Sequence, residues 1–333
     1  MNNNNETVLK KADHNDVQIL ADYQNMLAQD TEGISLNMDD VKDAIKHLLK
    51  NQQFGFFVLA QNQPQNKNQK QHQGSVQIEE TLEAFQNQGV WWFESVYVEQ
   101  QFRQNGIFRK LFEYIEEKAQ KLDLPLKLYV ETENERAMKV YQKMGMYDTG
   151  EIFLEADFYF EDKESFKETK EYEFKVLDIE NQQDIQELLE KNDGFVSLFE
   201  KKSVSKELLE SGLEQMKNKP GYGIILQVRN SQGELVGAIE AFFEFSMWRN
   251  GLTVLISDIR MNQKLIEQQQ QGDESELVDF LSGLFYSCKN IIKFDENIQV
   301  TCIRIVIDEQ KRIISLIKKA GLQQAHYRIY QKD

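Results

Sequence analysis

The sequence has few of the residues that cross-link small secreted proteins or bind metals. Its 333 residues include two cysteines, Cys288 and Cys302, and four histidines. The cysteines form no CxxC pair, which argues against a disulfide framework and against a thiolate zinc site. The histidines are scattered, without the spacing of metal ligands. We therefore predict a protein of a reducing compartment that holds no metal.

Long apolar runs and an excess of basic charge are also absent. No apolar run approaches the ~20 residues that cross a bilayer, and the start, Met1 followed by Asn2–Asn5, lacks the features of a secretory signal. Lys and Arg number 39 against 55 Asp and Glu, so the net charge is 39 − 55 = −16. Such a negative net charge disfavours a large surface that binds nucleic acid or an anionic membrane, yet it permits a local pocket that binds an anion. We expect a cytoplasmic protein without nucleic-acid or membrane partners.

The sequence does contain a succession of short helices and strands, and this succession occurs twice. A length of 333 residues predicts about two domains. Helical and strand periodicities alternate over 8–160, a charged stretch occupies 161–170, and the same order restarts at 172. We predict a mixed α/β fold with domains at 1–160 and 171–333, joined by a linker at 161–170.

Residue-by-residue comparison of the two halves gives a weaker signal. The glycines that end the last helix of each half, Gly145 and Gly321, differ by 321 − 145 = 176 positions. At that offset Arg136 aligns with Arg312, but most positions differ. The element order, more than the identities, indicates an internal duplication of one α/β unit.

The segment with recognisable chemistry begins after the β-prone run Val90–Val98. A short loop follows, and a helix begins at or near Gly106. Backbone N–H groups of a loop that leads into a helix N-terminus form an anion site, to which Gly106 allows close approach and Arg103 adds charge. This motif alone is weak, because many strand–turn–helix links contain one glycine.

A second motif makes the first more specific. It reads Asn134-Glu-Arg-Ala-Met-Lys-Val-Tyr141 and follows the strand 125–130. With Arg103-Gln-Asn-Gly-Ile-Phe108 it resembles the GNAT family, the Gcn5-related N-acetyltransferases, whose members carry R/Q-x-x-G-x-G/A and N-x-x-A-x-x-x-Y. The resemblance is strong over about 90–146 and extends plausibly over 8–160. Over 172–330 it rests on element order and a similar last helix.

This resemblance implies two tandem GNAT-like domains, the first with a sheet splayed open to bind acetyl-CoA. The backbone of the central strand would pair with the pantetheine arm, and the loop amides would hold the pyrophosphate. The implied cofactor-binding residues are Val96, Tyr97, Val98, Arg103, Gln104, Asn105, Gly106, Ile107, Phe108 and Asn134. Phe108 departs from the Gly/Ala of the motif, so its ring either crowds the cofactor or points into the core. Asn134 bonds either backbone or cofactor.

Two side chains are candidates for the chemistry of amine acetylation. The resemblance makes Tyr141 the acid that protonates the departing thiolate; the alternative is a packed aromatic residue. Alternation along the strand puts Glu94 on the face of Val96 and Val98. If that face lines the cleft, Glu94 is either the base that takes the proton of the amine or a group that orients the substrate. A solvated or structural glutamate is the third alternative.

The second half lacks both features. The loop after its strand 252–259 is longer, Asp273, Glu274 and Glu276 crowd the start of its helix, and Ile317 stands where the first half has Tyr141. Acidic residues at this position stabilise a helix N-terminus but repel a pyrophosphate. We predict that this half binds no CoA and instead packs against the first half and shapes the substrate entrance.

Two functions therefore remain open. The first is an acetyl-CoA-dependent N-acetyltransferase that acts on a small amine or an exposed amino group by direct attack on the thioester. The second is a catalytically inactive GNAT-like scaffold or regulatory subunit, suggested by Phe108, the altered second half and the Gln-rich tract at 61–73. Neither the acceptor, the acyl chain length nor the oligomeric state can be deduced from these motifs.

Overall fold

The computed structural model describes residues 6–52, 54–62, 71–85, 87–159, 166–219, 221–263, 266–267, 274–292 and 298–333. The first part of the predicted linker, 161–165, and most of the Gln-rich tract, 63–70, lie outside the described residues. The same holds for Asp273 in the loop of the second half.

The first half contains the elements that the periodicities predict, together with an additional N-terminal strand. Its strands are β1 (Thr7–Lys11), β2 (Gly55–Asn62), β3 (His72–Glu83), β4 (Gln88–Val98), β5 (Leu126–Glu131), β6 (Tyr147–Asp148) and β7 (Glu151–Asp157). Its helices are α1 (Val17–Glu32), α2 (Met38–Lys50), α3 (Ile107–Lys121) and α4 (Glu135–Lys143). Local signals define the helix ends: Asn37 caps α2 through the N–H of Asp39, and Gly33, at φ 67°, ends α1.

The second half repeats this order. Its strands are β8 (Tyr172–Val176), β9 (Phe195–Ser197), β10 (Gly223–Asn230), β11 (Leu235–Ser246), β12 (Gly251–Asn262), β13 (Val300–Asp308), β14 (Gln323–Gln324) and β15 (Tyr327–Lys332). Its helices, numbered over the described residues, are α5 (Gln182–Lys191), α6 (Lys206–Asn218), α7 (Ser275–Ile291) and α8 (Ile314–Lys319). The predicted mixed α/β class is confirmed, with a second unit that repeats the first.

The two mixed sheets exchange strands between the halves. One sheet has the order β1-β2-β3-β4-β5-β15-β6, and the other β14-β7-β13-β12-β11-β10-β8. Strand β15 pairs with β5, with Ile329 opposite Tyr129, and β7 pairs with β13, with Leu154 opposite Ile305. The sheets therefore do not coincide with the division at 1–160 and 171–333, because each half completes the sheet of the other.

The layer between the two sheets is apolar at its centre. It is formed by the buried side chains of Val90, Trp92, Phe153, Phe242, Leu255, Val306 and Ile329. These residues come from both halves and from both exchanged strands, so the exchange also builds the contact between the sheets. Since burial of apolar surface dominates folding, we expect the halves to unfold together.

Replacing Ile329 with alanine is expected to lower the free energy of unfolding by about 2–5 kcal/mol, because it opens a cavity between the sheets. Ile329 is 0% exposed. Urea denaturation followed by tryptophan fluorescence measures the change. The control is Arg328→Ala on the same strand, which removes only a half-exposed ion pair to Glu309 and should cost about 1 kcal/mol or less. Equal losses for the two variants would contradict the role assigned to β15.

A β-bulge in β4 interrupts the alternation on which the sequence argument relied. Gln77 of β3 pairs with Ser95 and Ile78 with Phe93, so Glu94 is an extra residue of β4. The expectation that Glu94 shares a face with Val96 and Val98 is therefore wrong. Val96 and Val98 pack against the core beneath α3, whereas Glu94 faces the space between the two sheets.

The bulge is also the place where the sheet splays open. The parallel pairing of β4 with β5 runs from Trp91 opposite Leu126 to Phe93 opposite Leu128, and ends there. Beyond the bulge, the edge of β4 at 96–98 lies unpaired on its β5 side. This is the V-shaped opening that the resemblance implied.

Candidate active site

A cavity of about 510 Å³ lies beside the bulge, between the two sheets. Its lining includes Glu94 of β4, Tyr129 of β5 and Tyr141 of α4 from the first half. The second half contributes Glu244 of β11 and Arg304 of β13. The two sequence-predicted catalytic residues thus share one cavity, and the second half forms part of its wall.

One carboxyl oxygen of Glu94 accepts a hydrogen bond, and the other has no hydrogen-bond partner among the described residues. The Tyr129 hydroxyl donates a hydrogen bond of 2.9 Å to Glu94 Oε2. Glu94 Oε1 is buried and accepts no hydrogen bond from the described residues. Burial raises the pKa of Glu94 above its usual range, while Arg304, the Tyr129 hydrogen bond and Arg249 act to lower it. A carboxylate with a raised pKa and a free oxygen is suited to accept a proton.

Arg304 is the main functional residue that the sequence reasoning missed. Its buried guanidinium donates to Glu155 Oε2 at 2.9 Å and lies 3.4 Å from Glu244 Oε2. It also lies over the ring of Tyr129, 5.7 Å from the centroid. The signal was an arginine within the otherwise apolar run Cys302–Ile307, because a charge buried in a strand needs partners.

Tyr141 reaches the cavity from α4. Its ring makes an edge contact with Phe108 at 5.8 Å between centroids, and its hydroxyl forms no hydrogen bond with any residue that the structure describes. Burial raises the pKa of Tyr141 to about 12. The hydroxyl therefore carries its proton at neutral pH and can donate it.

The loop before α3 presents an open helix N-terminus. Gly106 adopts the left-handed conformation at φ 76° and precedes the helix without a capping side chain. A Cβ added at Gly106 would meet nothing within 4 Å. The first-turn amides, which include those of Ile107 and Phe108, thus have no capping side chain, as an anion site requires. The loop and the unpaired strand edge lie where the resemblance implied the pyrophosphate and pantetheine of an acyl-CoA, and their use by a cofactor stays a prediction.

Arg103 supplies less free charge to this loop than the sequence suggested. Its Nη2 lies 2.6 Å from Asp30 Oδ2, and its Nε donates to the carbonyl of Val98 at 2.9 Å. The guanidinium also lies over the ring of Tyr97. In this arrangement Arg103 ties the loop to α1 and β4.

The remaining predicted cofactor residues occupy defined local positions. Phe108 packs inward against Phe112 and Tyr141, the second of its two expected orientations. Asn134 caps α4, because its Oδ1 accepts from the N–H of Ala137 at 3.1 Å. Gln104 has φ 68°, and Asn105 donates its N–H to the carbonyl of Phe102. A role of these residues toward a cofactor stays a prediction.

The second half keeps the framework of the site but not its side chains. Strand β12 has a bulge of its own, where Glu240 pairs with Asp258 and Ala241 with Ile256, so Ser257 occupies the position of Glu94. Ile317, at the position of Tyr141, is fully buried in the core. Among the described residues, no group of His, Cys, Asp and Glu side chains could hold a metal ion. No helix in the described part of the chain is both long and apolar enough to cross a membrane.

Comparison with known proteins finds a family match within the first half. Residues 29–146 match the model of the Acetyltransferase (GNAT) family. A possible acetyltransferase from Clostridium difficile 630 is 28% identical, over 43% of this chain and 91% of that one, with a TM-score of 0.39. The search of curated protein sequences gave no match.

Two solved structures resemble the chain over nearly its whole length. A GCN5-related N-acetyltransferase from Sphaerobacter thermophilus is 11% identical with a TM-score of 0.56, over 98% of this chain and 95% of that one. A tandem GNAT protein from the clavulanic acid biosynthesis pathway is 12% identical with a TM-score of 0.54, over 98% of both chains. Residues 29–146 therefore match the GNAT family of acetyltransferases, and the chain as a whole has the fold of two tandem GNAT domains.

Proposed function

We propose that the protein is an acetyl-CoA-dependent N-acetyltransferase whose first half performs the transfer to a primary amine. The observation that carries the proposal is the cavity at the bulge. There, the unpartnered Oε1 of Glu94 and the protonated hydroxyl of Tyr141 line the same space.

Each step of such a transfer has a group of this chain to perform it. Bound acetyl-CoA supplies the acetyl thioester. The amides at the start of α3 bind the pyrophosphate, and the unpaired edge of β4 at 96–98 binds the pantetheine arm. Glu94 takes a proton from the ammonium, so that the neutral nitrogen forms the C–N bond while the C–S bond breaks. Tyr141 donates its proton to the departing sulfur, and the second proton lost by the nitrogen restores the Tyr141 hydroxyl.

The second half serves this site without a transfer site of its own. Ser257 and Ile317 replace the proposed base and acid. Arg304 instead stabilises the wall around Tyr129 and Glu94. Most of the loop that would correspond to the phosphate loop lies outside the described residues.

Gly106→Glu is expected to weaken acetyl-CoA binding by at least about tenfold. The new residue must adopt φ near 76°, which costs about 1 kcal/mol or more, and it brings a carboxylate to the phosphate site. Titration calorimetry with the full chain measures the dissociation constant. The matched control is Gly233→Glu, at φ 80° in an exposed turn of the second half with equally open space around it.

The same experiment separates the enzyme from an inactive scaffold. Saturable binding that Gly106→Glu weakens and Gly233→Glu preserves supports the enzyme. Absence of binding by the wild-type chain at millimolar acetyl-CoA would favour the scaffold, as would equal effects of the two substitutions on binding.

A further inference from the structure

Carboxylates outnumber cations in the cavity beside Glu94. Seven carboxyl groups and two guanidinium groups line it. Both guanidinium groups are already engaged. Arg249 donates to Asp157 Oδ2 at 2.7 Å, and Arg304 pairs with Glu155 and Glu244. Three of the seven carboxyl groups are paired in this way.

The four remaining carboxyl groups form an inner and an outer pair. No ion pair within the described residues joins any of them to a lysine, arginine or histidine. Glu79 and Glu94 are the inner pair; Glu79 is buried, and its carboxyl accepts from Gln77 at 2.8 Å. Glu131 and Glu32 are the outer pair, near the solvent, where the Tyr327 hydroxyl donates to Glu32 Oε1 at 3.2 Å. The electrostatic coupling of each pair raises the pKa of Glu79 and of Glu131 beyond the effect of burial.

Strand β5 links the two pairs, because its Tyr129 holds Glu94 and its Glu131 belongs to the outer pair. Tyr129, which holds Glu94, and Glu131 are two residues apart on β5, so both project from the same face. The rise of a strand separates their Cα atoms by about 7 Å. A short alkyl chain with an ammonium at each end spans a distance of this order.

We propose that the acceptor is a small linear diamine or polyamine, with its reacting amine at Glu94 and its second ammonium between Glu131 and Glu32. This inference rests on the proposed function, because it assigns the reacting amine to Glu94. Acceptors with a carboxylate are disfavoured, because the unpaired carboxyl groups would repel its negative charge. Both guanidinium groups of the cavity already have partners. Coulomb attraction in a partly enclosed cavity favours the dication over a monoamine.

Three amines with the same carbon chain test the proposal: putrescine, butylamine and γ-aminobutyrate. Titration calorimetry with the full chain should show putrescine binding at least about tenfold more tightly than butylamine, and γ-aminobutyrate most weakly. Acetylation of each amine is followed in parallel as thiol release from acetyl-CoA. Glu131→Gln should reduce the ratio of the putrescine to the butylamine affinity.

A matched control separates a local contact from the overall charge. Glu117→Gln removes the same charge from an exposed position on α3, where Glu117 pairs with Lys121, and should preserve the ratio. Equal affinities for putrescine and butylamine, or a preference for γ-aminobutyrate, would overturn the diamine proposal even with acetyl transfer intact. Tight, Glu131-dependent binding of putrescine without any acetyl transfer would support the ligand class and refute the proposed function.

Discussion

Glu94→Gln is expected to lower kcat/KM for amine acetylation by about 10²- to 10⁴-fold, the usual contribution of a positioned general base. Glutamine keeps the size of the side chain and an oxygen that can accept from the Tyr129 hydroxyl, but it cannot take a proton from the ammonium. Acetyl-CoA affinity should change little, because the expected phosphate site at the start of α3 lies apart from the bulge. Steady-state kinetics and calorimetry measure the two effects separately.

The pH profile of kcat/KM gives a second measure of the same role. Burial raises the pKa of Glu94, so the acidic limb of the wild-type profile should lie above the usual range of a glutamate. The base form is lost as pH falls through that pKa, and the limb should vanish in Glu94→Gln. The control is Glu99→Gln, one residue beyond the end of the same strand, where the carboxyl accepts a hydrogen bond from the Tyr23 hydroxyl. The pH profile of this variant should match that of the wild type. An acidic limb that persists in Glu94→Gln would assign the base to another group.

Most helices and strands of the first half were predictable because their signals are local. Apolar periodicity indicated α1 to α4, and Gly145, at φ 84°, ends α4 as its position in the sequence indicated. The motifs at 103–108 and 134–141 led to Gly106 and Tyr141 for the same reason, because each spans one turn or one helix. Family resemblance over these residues supplied the rest of the prediction.

The parts that were missed depend on pairing between distant residues. Strand β15 is an ordinary β-prone segment, and nothing in Tyr327–Lys332 specifies β5 rather than the sheet of its own half as its partner. The bulge at Glu94 is set by the register against β3, so alternation along β4 alone gave the wrong face for Val96 and Val98. Arg304 acquires its role only because the strand exchange brings β7, with Glu155, beside β13.

Arg304→Met should destabilise the protein by about 3–5 kcal/mol at pH 8 and above, because it leaves Glu155 and Glu244 without their buried cation. The pKa of Glu244 is already raised to about 8 by burial and by Glu94, while Arg304 acts to lower it. Without the guanidinium that pKa must rise further. The control is Arg229→Met on β10 of the same sheet, which breaks a partly exposed pair with Glu187 of α5 and should cost about 1 kcal/mol or less.

The sign of the pH dependence distinguishes this electrostatic role from simple packing. A carboxyl whose folded-state pKa lies above its unfolded value binds more protons in the folded state between the two values. The free energy of unfolding of Arg304→Met should therefore rise as pH is lowered from about 8 toward 5, more steeply than that of the wild type. The acidic limb of kcat/KM should also move to higher pH, since Arg304 lowers the pKa of Glu94. Arg304→Lys should restore part of both effects. A destabilisation independent of pH, with the limb unmoved, would mean that Arg304 acts only by filling space, and the second half would then have no part in the chemistry of the first.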